Sequence, residues 1–137
     1  MFVHVDANSH VPIYHQIIQQ IKSAAATGLL APGDKLLSVR ELSRQIGINP
    51  NTIARAYQEL ERDGIIETIR GVGTFLSSTP IRISNEDKKE RVKKILKELF
   101  TEAYHLQYDE DELYRVFQEE FDKWKSHGGS EGKDVES

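Results

Sequence analysis

Apolar positions in the N-terminal half of the chain recur at helical spacing. Tyr14, Ile17, Ile18, Ile21, Ala24 and Ala25 follow Pro12 at i, i+3, i+4, i+7, i+10 and i+11, which predicts an amphipathic first helix ending near Gly28. After a Pro32-Gly33-Asp34 turn, Ser38-x-x-Glu41 reads as a capping box opening a second helix. Val39, Leu42 and Ile46 give that helix one apolar face, and Gly47 closes it. Asn49 is suited to cap a third helix with Pro50 in its first turn, where a missing N–H costs nothing. Ile53, Ala56, Tyr57 and Leu60 form its stripe, and Gly64 stops it.

Beyond Gly64 the pattern becomes extended. Ile65, Ile66 and Ile69 precede Arg70-Gly71-Val72-Gly73, and Thr74, Phe75 and Leu76 follow, so two short strands joined by a glycine turn are expected. Ser77, Ser78, Thr79 and Pro80 read as a linker. Helical periodicity then returns twice: Ser84-x-x-Asp87 opens a helix bearing Val92, Ile95, Leu96, Leu99 and Ala103, and Asp109-x-x-Glu112 opens one bearing Leu113, Val116, Phe117, Phe121 and Trp124. The expected fold is mainly α with a small β-hairpin: a winged helix-turn-helix over residues 1–79, a two-helix segment over 80–127, and a disordered tail over 128–137.

Composition narrows the function classes. The 137 residues contain no cysteine, and the longest nearly apolar run, Ala24 to Ala31, is far short of the roughly 18 to 20 residues of a spanning helix. No signal-like segment opens the sequence, so a cytoplasmic protein without membrane attachment is expected. His105, Asp109 and Glu112 fit no metal-ligand spacing, and neither a nucleotide-binding glycine loop nor a nucleophile–base–acid set is visible. The expectation is therefore no enzyme, no metal and no cofactor.

The formal net charge of −4 argues against nucleic acid until it is localised. Residues 1–79 carry seven basic and seven acidic side chains, so the whole excess lies in the C-terminal segment, with 11 basic and 15 acidic groups. Counting about 100° per residue from Ile53, Asn51, Arg55, Gln58 and Arg62 fall at roughly 160°, 200°, 140° and 180°, opposite the apolar stripe. The acids Glu59, Glu61 and Asp63 flank that ridge at roughly 240°, 80° and 280°. An outward ridge of amides and guanidiniums suits the major groove, since Arg pairs with guanine O6/N7 and Asn or Gln with adenine N6/N7. Ser38, Arg40 and Arg44 on the second helix suit phosphate oxygens, and Arg70 on the wing suits phosphate or an adjacent minor groove.

The runs Pro12-Ile13-Tyr14-x-Gln16-Ile17, Gly33 to Leu42, Asn49 to Tyr57, Leu60-Glu61-x-x-Gly64 and Arg70-Gly71-x-Gly73-Thr74-Phe75 together resemble the DNA-binding domain of GntR-family bacterial transcription regulators. The resemblance spans about residues 10–76. It implies a phosphate contact for Arg40, base reading by Asn49, Asn51, Thr52 and Arg55, and a minor-groove contact for Gly71. Leu37 stands where the family usually has proline. Pro50 stands where many members have arginine, and this Asn-Pro-Asn-Thr form is similar to the short YtrA-type subfamily, which shifts the base-reading expectation to Asn51 and Arg55.

The apolar stripes of two lone helices need a partner. The expectation is a homodimer with Leu99, Phe100, Leu113, Phe117, Phe121 and Trp124 at its interface, the alternative being packing on the chain's own first helix. A dimer implies double-stranded DNA with an inverted-repeat operator. The resemblance implies a repressor, controlling its own or an ABC transporter operon, with an unidentified small-molecule effector as a further partner. A winged-helix protein-interaction module with only nonspecific DNA affinity is the competing reading.

Overall fold

The computed structural model describes residues 3–79 and 83–126, arranged as two compact units, Met1–Ile81 and Arg82–Ser137. The expected linker residue Pro80 and the tail 128–137 lie outside the described residues. In chain order the elements are α1 (Ile13–Ala26), β1 (Lys35–Leu36), α2 (Val39–Ile46), α3 (Pro50–Arg62), β2 (Ile66–Ile69), β3 (Gly73–Leu76), α4 (Asn85–His105) and α5 (Glu110–Trp124).

The first unit closes around the stripes that the periodicity marks. Ile17 and Ile21 from α1, Leu42 from α2, Ile53 and Leu60 from α3 and Ile66 from β2 are fully enclosed. This set of contacts between three helices and a sheet is the core of a winged helix. The expected hairpin forms as β2 and β3, paired antiparallel from Ile66–Leu76 to Ile69–Gly73, and it gains a third strand. β1 pairs antiparallel with β3 through Lys35–Phe75 and Leu36–Thr74, giving a three-stranded sheet of order β1-β3-β2. A two-residue strand has no alternation to read; where β3 ends, the Leu76 N–H donates to the Asp34 carbonyl and the Leu76 carbonyl accepts from the Gly33 N–H, each at 2.8 Å, which holds the chain entering β1 against it.

An N-terminal arm also joins this core. Val3 is buried against it, and two glutamines of α1 fasten the residues that follow. Gln20 accepts from the His4 N–H at 2.8 Å and donates back to the His4 carbonyl. Gln16 accepts from the Asp6 N–H at 2.8 Å and donates to the carbonyls of Asp6 at 3.0 Å and Val11 at 2.9 Å.

The second unit is a pair of helices capped by Ser84 and Asp109, each side chain accepting the amide three residues on. Gln107 turns the chain between them with φ 62, and the Tyr108 and Gln107 amides close onto Ala103 and Tyr104. Ala103 beside that turn is the unit's one buried apolar residue among those described. Farther along, the helices stand apart and leave apolar clefts. One of about 520 Å³ is lined by Leu96, Leu99, Phe100, Leu113 and Phe117 among others. Another of about 480 Å³ adds Val116, Phe121 and Trp124.

Candidate nucleic-acid interface

The α2–α3 corner is fixed by local chemistry. At its start the Ser38 hydroxyl accepts the Glu41 N–H at 3.1 Å while the Glu41 carboxylate accepts the Ser38 N–H at 3.0 Å. These hydrogen bonds from Ser38 hold the Glu41 carboxyl below the usual carboxylate range, with smaller help from the positive charges of Lys35 and Arg44. At the turn, Gly47 adopts φ 69, a left-handed conformation that a side chain would strain, and the Ser43 hydroxyl donates to the Ile48 carbonyl at 2.6 Å. Asn49 then caps α3 by accepting the Asn51 N–H at 2.8 Å.

Tyr57 ties the two helices from beneath. Its hydroxyl donates to the Leu37 carbonyl at 2.7 Å, and burial raises its ionisation well above the ordinary phenol value, with the Glu41 charge adding to the effect. The residue before the α2 cap is thus held by a partly buried hydrogen bond. Helix α2 cannot easily shift against α3, so its exposed arginines stand in fixed register with the α3 ridge.

All the candidate DNA-binding residues lie on this one unit. Ser38, Arg40 and Arg44 are exposed on α2. Asn49, Asn51, Arg55, Gln58 and Arg62 are exposed on or at the start of α3, and Thr52 is half-buried. Arg70 and Gly71 occupy the corners of the wing turn that Val72 closes onto Ile69 at 2.9 Å, and both are exposed. Among the described residues none of Arg40, Arg44, Arg55 and Arg70 forms an ion pair. Of the flanking acids, Glu61 accepts from the Thr68 hydroxyl at 3.4 Å, whereas Asp63 stands 3.9 Å from the guanidinium of Arg62, itself a ridge residue. The neutral formal charge of this unit therefore leaves free cations on the α2 face and the wing.

Two residues join the picture that sequence reasoning passed over. Lys35 on β1 runs its stem across the wing, so close to Gly73 that an added Cβ would lie 2.7 Å from its Cε. It supplies a cation at the wing's base that only the unread strand β1 could have announced. Tyr14, assigned by spacing to the core stripe of α1, is half-buried, and the Arg55 guanidinium lies 3.9 Å over its ring centroid.

The second unit presents the expected interface residues at a surface. Leu99, Phe100, Phe117, Phe121 and Trp124 are between 41% and 53% exposed, and Leu113 is half-buried. Asp109 is engaged as the α5 cap, and no cluster of metal-ligating side chains occurs among the described residues. No described helix is long and apolar enough to cross a membrane.

Comparison with known proteins agrees with this geometry. The family described as bacterial regulatory proteins, gntR family, matches residues 13–76. Over 117 residues the chain is 44% identical to the HTH-type transcriptional repressor YtrA of Bacillus subtilis (strain 168), covering 85% of this chain and 90% of that protein. A transcriptional antiterminator of Listeria monocytogenes EGD-e superposes with TM-score 0.79 at 37% identity, covering 90% of this chain and 92% of that one. A GntR family transcriptional regulator from Listeria monocytogenes follows with TM-score 0.62 at 36% identity, covering 84% and 98% respectively.

Proposed function

We propose that this chain, which belongs to the GntR family of bacterial regulatory proteins and is a transcription regulator with a DNA-binding winged helix, works as a homodimeric repressor on an inverted-repeat operator. The observation that carries this reading is the α2–α3 face. It joins exposed amides and guanidiniums on α3 to arginines of α2 that have no ion-pair partner among the described residues. In this reading Asn51, Arg55, Gln58 and Arg62 read base edges, with Asn49 and Thr52 at the helix entrance. Ser38, Arg40 and Arg44 hold phosphates, and Arg70 and Gly71 set the wing against the neighbouring groove.

The second unit supports the dimer. Clefts lined by Leu99, Phe100, Leu113, Phe117, Phe121 and Trp124 leave an apolar face that a second copy covers by the same face, as a two-fold axis requires. Two recognition helices related by that axis need half-sites one helical turn, or a multiple, apart. Repression is the mode named for the Bacillus relative. The operator is to be sought upstream of the protein's own gene and of any adjoining transporter operon, and the protein acts in the cytoplasm, where that DNA lies.

The test is titration of the upstream DNA at fixed physiological salt against unlabelled competitor, with the mass of the protein measured in the same buffer. Saturable, competitor-resistant binding by a dimer is expected. Binding that competitor removes completely, or a monomeric mass at the binding concentration, defeats this reading in favour of an interaction module with nonspecific DNA affinity.

A further inference from the structure

The contact between Tyr14 and Arg55 bears on how the interface works. Arg55 is exposed on α3, and its guanidinium lies 3.9 Å from the Tyr14 ring centroid, within range of a cation–π stack. Among the described residues it has neither an ion pair nor a hydrogen bond. Stacking engages the flat face of a guanidinium and leaves the N–H donors, which lie in its plane, available at the rim. A long arginine side chain, otherwise free to sample many rotamers, is thus held with its donors unspent. The Tyr14 hydroxyl has no partner among the described residues, so the ring alone makes this contact.

The ring is itself firmly seated. Tyr14 belongs to the first turn of α1, and Gln16, two residues on, binds Asp6 and Val11 of the preceding arm through three hydrogen bonds. Ile17 and Ile18 in the next positions are buried in the core. The backbone beneath the ring is thus fixed, and the ring itself packs against the core cluster.

We propose that Tyr14 of α1 is a positioning residue for DNA recognition, its ring holding the Arg55 guanidinium in the orientation in which its in-plane donors meet a base edge. This rests on the reading that Arg55 touches DNA. The role differs from that of the α3 residues: Tyr14 acts through Arg55 and reads nothing itself.

The test uses the full chain and a duplex that the wild-type protein selects from a random-sequence pool. Dissociation constants are measured for that duplex and for each single-base-pair substitution of it. Tyr14→Leu is expected to weaken binding about three- to tenfold and to flatten preference at the same base pair where Arg55→Ala does. Tyr14→Phe is expected to bind as the wild type does, and the double variant Tyr14→Leu/Arg55→Ala no more weakly than Arg55→Ala alone. Wild-type binding by Tyr14→Leu, a Phe variant as weak as the Leu variant, or additive losses in the double variant would each overturn the proposal. Should Tyr14→Leu fail to fold, the Arg55 side-chain protons of the wild-type protein decide the matter. A ring-current upfield shift supports the stack, and its absence overturns it. If Arg55→Ala itself binds normally, the base-reading role of Arg55 falls and the inference with it. A defective Arg55→Ala beside a silent Tyr14→Leu removes this inference alone.

Discussion

The two units of this chain are unfinished in opposite ways. Of the 14 buried apolar residues among those described, 13 belong to the first unit, whereas 12 of the 16 exposed large apolar residues belong to the second. Charge is distributed the other way. Among the described residues, three of the four ion pairs lie in the second unit, all between residues one helical turn apart, while the arginines of α2 and the wing in the first have none. The first unit has closed its core and leaves the arginines of α2 and the wing without an ion pair among the described residues. The second pairs some of its charges along its own helices, keeps the acidic excess, and leaves its hydrocarbon without cover. In the proposed reading, the first unit meets a polyanion and the second an apolar surface.

The largest expected effect breaks the second half of this contrast. Replacing Phe117 and Phe121 together by Asp puts charge into the apolar clefts, and at least a 30-fold loss of operator affinity is expected, about the effect of deleting one strong interface residue. Sedimentation should then report a monomer, with the far-UV spectrum of the winged helix retained. A persisting dimer would mean that another face joins the copies. Next, truncating a closed-core residue should cost far more than trimming the open face. Ile53→Ala is expected to lose about 2 to 5 kcal/mol in urea unfolding, and Val92→Ala about 0.5 kcal/mol or less, as exposed positions do. Similar losses at both positions would erase the distinction between the units.

The unpaired cations divide by task. Arg55→Ala should cost about 1 to 3 kcal/mol and relax preference at one base pair, whereas Arg40→Ala should weaken all sequences alike and lower the salt slope by about one. Titrations at several salt concentrations separate the two, and equal behaviour would merge reading and anchoring into a single role. The smallest effect concerns pH. The folded-state pKa of Glu41 is depressed by its bonds with Ser38, so its share of stability is present above the ordinary carboxylate range and is lost as pH falls through the lowered value. Melting temperatures of wild type and Glu41→Ala should accordingly differ at neutral pH and converge in acid. A constant gap would mean that the carboxylate charge contributes nothing there.

Much of the molecule was legible in advance because local chemistry announced it. The caps at Ser38, Asn49, Ser84 and Asp109 all form as their residue types require, and the helical stripes of the first unit are its core. What escaped notice depends on distant partners. Strand β1 is too short for periodicity and exists through β3. Val3 is core only because α1 lies against the arm, and the Tyr57 hydroxyl finds Leu37 across 20 residues. Helical angles placed Arg55 on the outward ridge, and it is exposed. No spacing rule, however, tells that its head turns onto a ring of another helix.

The glutamine fastening of the arm has a geometric basis. A primary amide carries one C=O and an NH2 group, so Gln20 meets both the N–H and the carbonyl of His4, and Gln16 meets both those of Asp6 and donates to the Val11 carbonyl as well. Their four-residue separation spans about 6 Å along a helix, and the two residues from His4 to Asp6 span about 6.6 Å if extended. The two repeats are nearly commensurate, so a helix here imitates the edge of a sheet. Glutamine has both halves of that imitation, and asparagine, one methylene shorter, has them with less reach. Glutamate keeps the acceptor and lysine the donor, so either replacement unfastens half of each pair and loosens the arm by one step at a time.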